Sequence, residues 1–386
     1  MIARVSRRGA LRWTGRLHPW IYRSDVLEPP SSEAGVVRVI DERGQDIGMA
    51  LWSPVSTIAL RMLTHEPADI GPPFWRDRIA AAAAYREALR VDSTAYRVVH
   101  AEADALPSLI VDRYGDCLVV QFLSAGIERY RSEITAALTR VFAPAGILAR
   151  DDVPIRSHER LGGGVHVLHG TVPETTLVQE SGVRWIAAVH TGQKTGAFLD
   201  QRENRVRAAR LGRGRALDAF AYHGLFALHL ARGGAHVTAI ESSAEALARA
   251  RENASLNGLE AQVRTLEANV FDALRDFQDA GDPFDVIVLD PPAFAKRRDS
   301  VDAALRGYKE INLRAMKLLA PGGHLLTFSC SWHVGQDRFR GMLEDAAADA
   351  GRPMRWIEWC GQAADHPGIV QIPETAYLKG AILQAV

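Results

Sequence analysis

The stretch 284-FDVIVLDPPAF-294 is a largely apolar run that reaches Asp290 and stops at two prolines. Such a run reads as a buried strand, and the prolines turn it into a loop. A second run, 322-GGHLLTFSCS-331, has the same form and ends on Cys330. In an open parallel sheet, ligands collect outside the carboxyl ends of the strands. If the two runs are neighbouring strands, Asp290 and Cys330 therefore face one pocket, a carboxylate beside a thiol. A lone cysteine at a strand end is most often a small buried hydrophobe, so its surroundings have to argue for chemistry.

Upstream, apolar runs and helical patterns alternate: 215-RALDAF-220, a helix, 236-HVTAIE-241, a helix, 262-QVRTLEAN-269, the Asp290 strand, a helix and the Cys330 strand. This predicts a doubly wound α/β domain. The first strand reaches Asp218 and passes through 219-AFAYHGLF-226 into a helix, while the second ends on Glu241. An acidic residue there suits the two hydroxyls of a ribose. Only Gly224 occupies the first turn, so the glycine-rich dinucleotide fingerprint is missing and no pyrophosphate cradle is evident. The segment 192-GQKTG-196 is not a phosphate-binding loop, because Ala188 and Gln193 stand where glycines are required. Ser242 and Glu245 predict a capping box that opens the next helix. An adenosine-like ligand without pyrophosphate, a ribose-binding Glu241 and an Asp-Pro-Pro turn fit S-adenosylmethionine better than a dinucleotide.

Towards the N-terminus, residues from Val5 to about Met62 carry short apolar runs such as 36-VVRVI-40 and 57-TIALRML-63 between Gly- and Pro-bearing turns, which predicts a small all-β module. Helices are expected over Phe74–Arg90, with Arg86 interrupting the apolar stripe, and over Glu128–Phe142. A β-hairpin is expected at 175-TTLVQE-180 and 183-VRWIAAV-189. The resulting division is 1–70, 71–185 and 186–386.

The 386 residues, 47% hydrophobic and 24% charged, suit an ordinary globular protein with two or three domains. No signal-peptide core and no apolar run of about 18 residues appears, so a cytoplasmic protein without membrane contact is expected. Cys117, Cys330 and Cys360 are too far apart in sequence for a disulfide framework or a zinc motif, and no metal is expected. Net charge is zero, so binding of nucleic acid has to come from local patches. Residues 1–23 hold Arg4, Arg7, Arg8, Arg12, Arg16 and Arg23 with Trp13, Trp20 and Tyr22 and no acidic residue, which suits RNA phosphates and unstacked bases. With 41 Arg against five Lys in the chain, a general arginine bias explains the patch equally well.

The segments 194-KTGAFLDQREN-204, 217-LDAFAYHGLFA-227, 285-DVIVLDPPAF-294, 307-GYKEIN-312, 327-TFSCS-331, 363-AADHP-367 and 377-YLKG-380 together resemble the three-domain ribosomal RNA large-subunit methyltransferases that make 5-methylcytosine. The resemblance extends to the front, where 18-HPWIY-22 is similar to their PUA-type RNA-binding module, and to their central α+β domain. It implies an α/β Rossmann-like methyltransferase domain at the C-terminus, S-adenosylmethionine as cofactor and large-subunit ribosomal RNA as partner; a homodimer rests on analogy alone.

By the same resemblance, Cys330 is the nucleophile that adds to C6 of cytosine, and Asp290 binds the N3/N4 edge. Asp290 is also a candidate for removing the C5 proton, with His333 a weaker one. Asp218, Phe220, Tyr222 and Gly224 would border the methionine part of the cofactor, Glu241 the ribose, and Asn269 the adenine, with Ser242, Gln201, Arg202 and Asp290 also at the cofactor. Asp200 also matches the family segment beside the cofactor; on local pattern alone Asp200 and Arg202 read as a salt-bridged helix start, and the family match favours the site role. Arg7, Arg8, Pro291, Pro292 and Phe294 would meet the RNA. The chain departs from the family pattern at His223, Leu225, Asn269, Ala293 and Trp332. Two other readings stay open: methylation of guanine N7 or an exocyclic amine, for which no cysteine is needed, and an RNA-binding assembly factor without turnover.

Overall fold

The computed structural model of the chain describes residues 1–295 and 298–386. These fall into two compact units, one of Met1–Val178, Ala187–Leu199 and Ala364–Thr375, the other of Gln179–Ile186, Asp200–Ala363 and Ala376–Val386.

The first unit begins with a six-stranded sheet in the order Trp20–Tyr22, Ile58–Met62, Asp46–Trp52, Gly35–Ile40, Ile2–Val5 and Val26–Glu28. Alternate residues such as Val37 and Val39 point into a core with Val5, Ile21, Trp52 and Leu60, the period-2 burial expected of strands. The expected strands are joined by one helix that the arginine-rich run conceals, Arg7–Thr14. Its cap is Ser6, whose side chain accepts from Gly9 N. Gly9 is required at this point, because a Cβ would lie 2.9 Å from Asp25 Cβ.

A second sheet follows, ordered Val165–Gly170, Gly146–Arg150, Cys117–Phe122, Leu109–Tyr114 and Ala95–His100. The helix expected from Phe74 runs Pro72–Leu89 and starts on prolines, whose missing N–H groups cost nothing at a helix start. Arg86 does not face solvent: it is buried and donates to Asp104, to Arg97 O at 3.0 Å and to Asp365 O at 2.8 Å. A guanidinium bonded at each of its three nitrogens can therefore sit within an apolar helix face. The helix expected over Glu128–Phe142 is divided into Ala125–Glu128 and Arg131–Phe142.

The second unit is a seven-stranded sheet. Its strands are β1 (Arg215–Ala219), β2 (His236–Glu241), β3 (Val263–Glu267), β4 (Phe284–Leu289), β5 (Leu319–Ser329), β6 (Met354–Cys360) and β7 (Lys379–Ala385), and they lie in the order β3-β2-β1-β4-β5-β7-β6. The first five are parallel, and β7 runs antiparallel between β5 and β6. Among the described residues, six helices accompany this sheet: α1 (Arg202–Leu211), α2 (Leu225–Arg232), α3 (Ala244–Leu256), α4 (Val270–Ala280), α5 (Val301–Leu318) and α6 (Gln336–Ala350). One side of the sheet is closed by Leu217, Ile240, Ile287, Leu289, Tyr308, Ile311, Leu325 and Phe339. Helix α3 is capped by Ser243, whose side chain accepts from Ala246 N, and not by the expected Ser242. The cap moves one residue along because Ser242 is held by Glu241.

The expected hairpin is present as Thr176–Glu180 and Val183–Ala187, and its residues Gln179–Ile186 group with the second unit. There Glu180 accepts two bonds from Arg205, at 2.6 and 2.7 Å, and lies 3.2 Å from His229 Nε2, with all three side chains at most 2% exposed. Among the described residues no helix is long and apolar enough to cross a membrane.

Candidate active site

Strand β1 has β2 on one side and β4 on the other, so the strand order reverses at its carboxyl end. A crevice at such a reversal is where open α/β sheets bind ligands. Asp218, near that end, is 1% exposed. Its Oδ2 accepts from Ala227 N at 2.9 Å in the first turn of α2, and its Oδ1 is buried without a hydrogen-bond partner among the described residues. Burial, opposed by the Ala227 bond and reinforced by the charges of Asp290 and Glu241, pushes its pKa up to about 8. A buried carboxyl with an unmet oxygen, its pKa raised by burial and by neighbouring anions, can receive a cationic group by ionising as that group arrives.

The loop after β1 is bent back tightly, with Phe220, Tyr222 and Gly224 at φ 66°, 48° and 74°. Two of these are not glycine, so the loop is held by its contacts. Glu241, at the end of β2, accepts from Tyr222 N at 3.1 Å, from Ser242 N at 2.7 Å and from Ser243 N at 3.1 Å. Asn253 donates to His223 O at 3.0 Å. The His223 ring stacks on Tyr222 at 3.7 Å, and burial next to Arg249 lowers its pKa to about 4, so it is neutral at pH 7. Asn269 caps α4 by accepting from Phe271 N at 2.9 Å, which leaves its amide N–H groups and a second oxygen lone pair for a ligand.

Strands β4 and β5 pair in parallel, with Leu289 opposite Thr327, which brings Asp290 and Cys330 to adjacent strand ends. The two following loops are tied together, since Ala295 N donates to Ser331 Oγ at 3.1 Å and Tyr308 Oη shares a 2.9 Å bond with the same hydroxyl. Cys330 itself is half-buried, between fully buried Ser329 and Ser331. Asp290 Oδ1 accepts from Gln201 Nε2 at 2.8 Å, Gln201 Oε1 accepts from Asn204 Nδ2 at 2.6 Å, and that amide also donates to Gly361 O at 2.9 Å. The carboxylate is thus aimed through a chain anchored on backbone.

The structure brings Asp218, Phe220, Tyr222, Gly224, Glu241, Ser242, Asn269, Asp290, Gln201 and Cys330 to the carboxyl edge of one sheet. Arg202 opens α1, is buried and pairs with Glu203 at 3.6 Å, while Asp200 does not cap the helix but accepts from Tyr377 Oη at 2.6 Å. Of the turn residues, Pro292 is exposed, but Pro291 is buried and Phe294 packs at 4.6 Å on Tyr308, so these two support the turn from within. His333 is exposed on the turn after Cys330. Arg7 and Arg8 lie in the other unit, on the first turn of the Arg7–Thr14 helix, where Arg8 Nε meets buried Asp25 at 2.6 Å.

Two residues given no role from the sequence stand beside the cysteine. Tyr308 comes from α5, and Lys379 comes from β7, where it lies opposite Ser329. Lys379 Nζ donates to Ser331 O and to Tyr377 O, both at 2.7 Å. Both lie within motif segments, but Lys379 reaches the site by strand pairing out of chain order and Tyr308 by the packing of α5, which no local pattern reveals.

The family model for S-adenosylmethionine-dependent methyltransferases matches residues 123–383, and that for a PUA-like domain matches residues 7–65. The ribosomal RNA large subunit methyltransferase I of Shewanella amazonensis is 42% identical over 376 residues, covering 95% of each chain. The protein of the same name from Shewanella denitrificans is 41% identical over 384 residues, covering 97% of each. In fold the chain is similar to a SAM-dependent methyltransferase from Streptococcus mutans, with a TM-score of 0.85 at 19% identity over the whole of both chains. A methyltransferase solved in complex with SAH gives 0.86 at 20% identity, again over the whole of both.

Proposed function

We propose that this chain, which belongs to the ribosomal RNA large subunit methyltransferase I family of S-adenosylmethionine-dependent methyltransferases, forms 5-methylcytosine in large-subunit ribosomal RNA through a covalent adduct of Cys330. The observation that carries this reading is the pairing of Asp290 and Cys330 at adjacent strand ends, with their loops cross-bonded through Ser331.

When bound, S-adenosylmethionine supplies an electrophilic methyl group on a sulfonium. Asp218 would take its ammonium group, Glu241 the ribose hydroxyls and Asn269 the adenine edge, and the unmet Asp218 oxygen supports that fit. C5 of cytosine is a poor nucleophile until a thiolate adds to C6 and pushes the π-electron pair onto C5. Cys330 has that task. Asp290, held by Gln201, meets the N3/N4 edge and, as a protonated carboxyl that donates to N3 and takes its proton back when the adduct breaks down, holds the charge that builds there. After C5 is methylated its proton must leave, the electron pair re-forms the double bond, and the Cys330–C6 bond breaks. Asp290 is the candidate base, directly or through water. The target base has to leave its stack to reach Cys330, and Trp332, 45% exposed beyond the cysteine, offers a ring for a neighbouring base.

The test is incubation of the protein with unmodified large-subunit rRNA and methyl-labelled S-adenosylmethionine, then identification of the labelled nucleoside. Labelled 5-methylcytidine that disappears in Cys330→Ala is expected. Labelled methylguanosine or methyladenosine, unchanged in that variant, would overturn the cysteine mechanism.

A further inference from the structure

We propose that Lys379 is the positioning residue that holds Cys330 as a thiolate, by taking the thiol proton onto its amine and lying beside the sulfur as an ammonium. This rests on the reading of Cys330 as nucleophile. The antiparallel strand β7 brings Lys379 opposite Ser329, and its Nζ reaches Ser331 O at 2.7 Å, so the side chain spans the backbone on both sides of Cys330. Tyr377 O, also at 2.7 Å, is its second acceptor. A neutral amine has two N–H groups and one lone pair. Two carbonyls satisfy two N–H groups in either charge state, and the third position, a lone pair on the amine or an N–H on the ammonium, is left for the sulfur. Once protonated, the third N–H has an anion for a neighbour.

The charge state agrees with this geometry. Burial lowers the Lys379 pKa to about 8, while the Cys330 charge pulls it back up. Burial raises the pKa of Tyr308, and the Cys330 charge raises it further. Among the described residues, the titratable groups that feel the Cys330 charge include Lys379 from β7 and Tyr308 from α5, and Asp290 stands at the adjacent strand end. Lys379 alone among them carries positive charge, and a cation beside a thiol is what lowers its pKa.

The proton balance is closed. Cys330 S–H gives its proton to the amine, its electron pair makes the S–C6 bond, and the sulfur returns as thiolate when that bond breaks after loss of the C5 proton. Lys379 need release nothing during turnover.

The experiment is alkylation of Cys330 in the full-length protein by iodoacetamide between pH 6 and 10, without RNA, followed site-specifically by mass spectrometry. The wild-type thiol is expected to titrate below the ordinary cysteine value of about 8.5. In Lys379→Met the midpoint rises by about one pH unit, and alkylation at pH 7 falls about tenfold, while Lys379→Arg keeps most of the reactivity because its charge remains. A wild-type thiol titrating at or above the ordinary value overturns the proposal without recourse to any variant. So does an unchanged profile in a Lys379→Met protein that still melts cooperatively. Failure of the underlying reading looks different: Cys330→Ala would then retain methyl transfer, whatever the alkylation profile.

Discussion

Asp218→Asn should make the ligand-free protein more stable at pH 8 and abolish stabilisation by S-adenosylmethionine. In the native chain burial holds the Asp218 carboxyl near pKa 8, against an ordinary value of 3.8. The folded state therefore keeps a proton that the unfolded chain has lost, and stability falls as pH rises from about 4 to 8. Each tenfold difference in proton affinity is worth about 1.4 kcal/mol, so the cost reaches an upper limit on the order of 5 kcal/mol at pH 8. Asparagine carries no such penalty, and its Oδ1 can still accept from Ala227 N, as Asp218 Oδ2 does at 2.9 Å. The group left over is one unmet amide in place of one unmet oxygen.

A ligand ammonium would let Asp218 ionise with a partner, so binding relieves the strain. At 100 times the dissociation constant a ligand adds about 2.7 kcal/mol, which for a domain of this size is about 5 to 10 °C in Tm. The assay is thermal denaturation from pH 5 to 8, with and without S-adenosylmethionine. Wild type should lose stability with rising pH and regain it with ligand, whereas Asp218→Asn should lie flatter with pH and show no ligand shift. An Asn variant with the wild-type pH slope, or one that keeps the ligand shift, refutes the assignment of Asp218 as the buried cation receptor.

Gln201→Leu removes the bond that aims Asp290, and kcat for methyl transfer should fall on the order of 10- to 100-fold while cofactor affinity, read by calorimetry, holds within a few-fold. Arg205→Met takes the buried cation from Glu180 and leaves it beside His229; the loss should be about 3 to 5 kcal/mol in denaturant unfolding, since breaking a buried pair strands a charge. Arg7→Ala should weaken RNA binding and reduce the slope of log affinity against log salt by about 1, and more than Arg8→Ala does, because Arg8 is already engaged by Asp25. Equal binding by wild type and the double variant across a salt series would remove this patch from the RNA surface.

The parallel core of the second unit was legible because its strands are buried on both faces, and continuous apolar runs with acidic or cysteine ends have few other readings. Asp218, Glu241, Asp290 and Cys330 were visible for the same reason: each is a reactive residue at the end of such a run. The Arg7–Thr14 helix was not legible, because arginines with aromatics form no apolar stripe of helical period, and its signal reduces to the Ser6 cap. Arg86 looked like a break in a helix face because its acceptors, Asp104 and Asp365 O, lie far from it in sequence. The choice between Ser242 and Ser243 as cap depended on Glu241, whose carboxylate takes Ser242 N–H and Oγ–H and leaves Ser243 to begin the helix.

Strand β7 shows most clearly what a linear reading loses. The five parallel strands supply Asp218, Glu241, Asn269, Asp290 and Cys330, but a parallel sheet presents only the carboxyl ends of its own strands at that edge. An antiparallel strand inserted beside β5 presents its amino end at the same edge, and that is how Lys379 and Tyr377 arrive next to residues numbered about 50 and 180 positions earlier. Chain direction thus decides which termini can contribute to the site. The thiol sits where a strand leaves the sheet, the amine where another enters it, and their pairing is fixed by the register Ser329 to Lys379. A one-residue slip in that register would turn the lysine to the opposite face of the sheet and leave the cysteine without its cation.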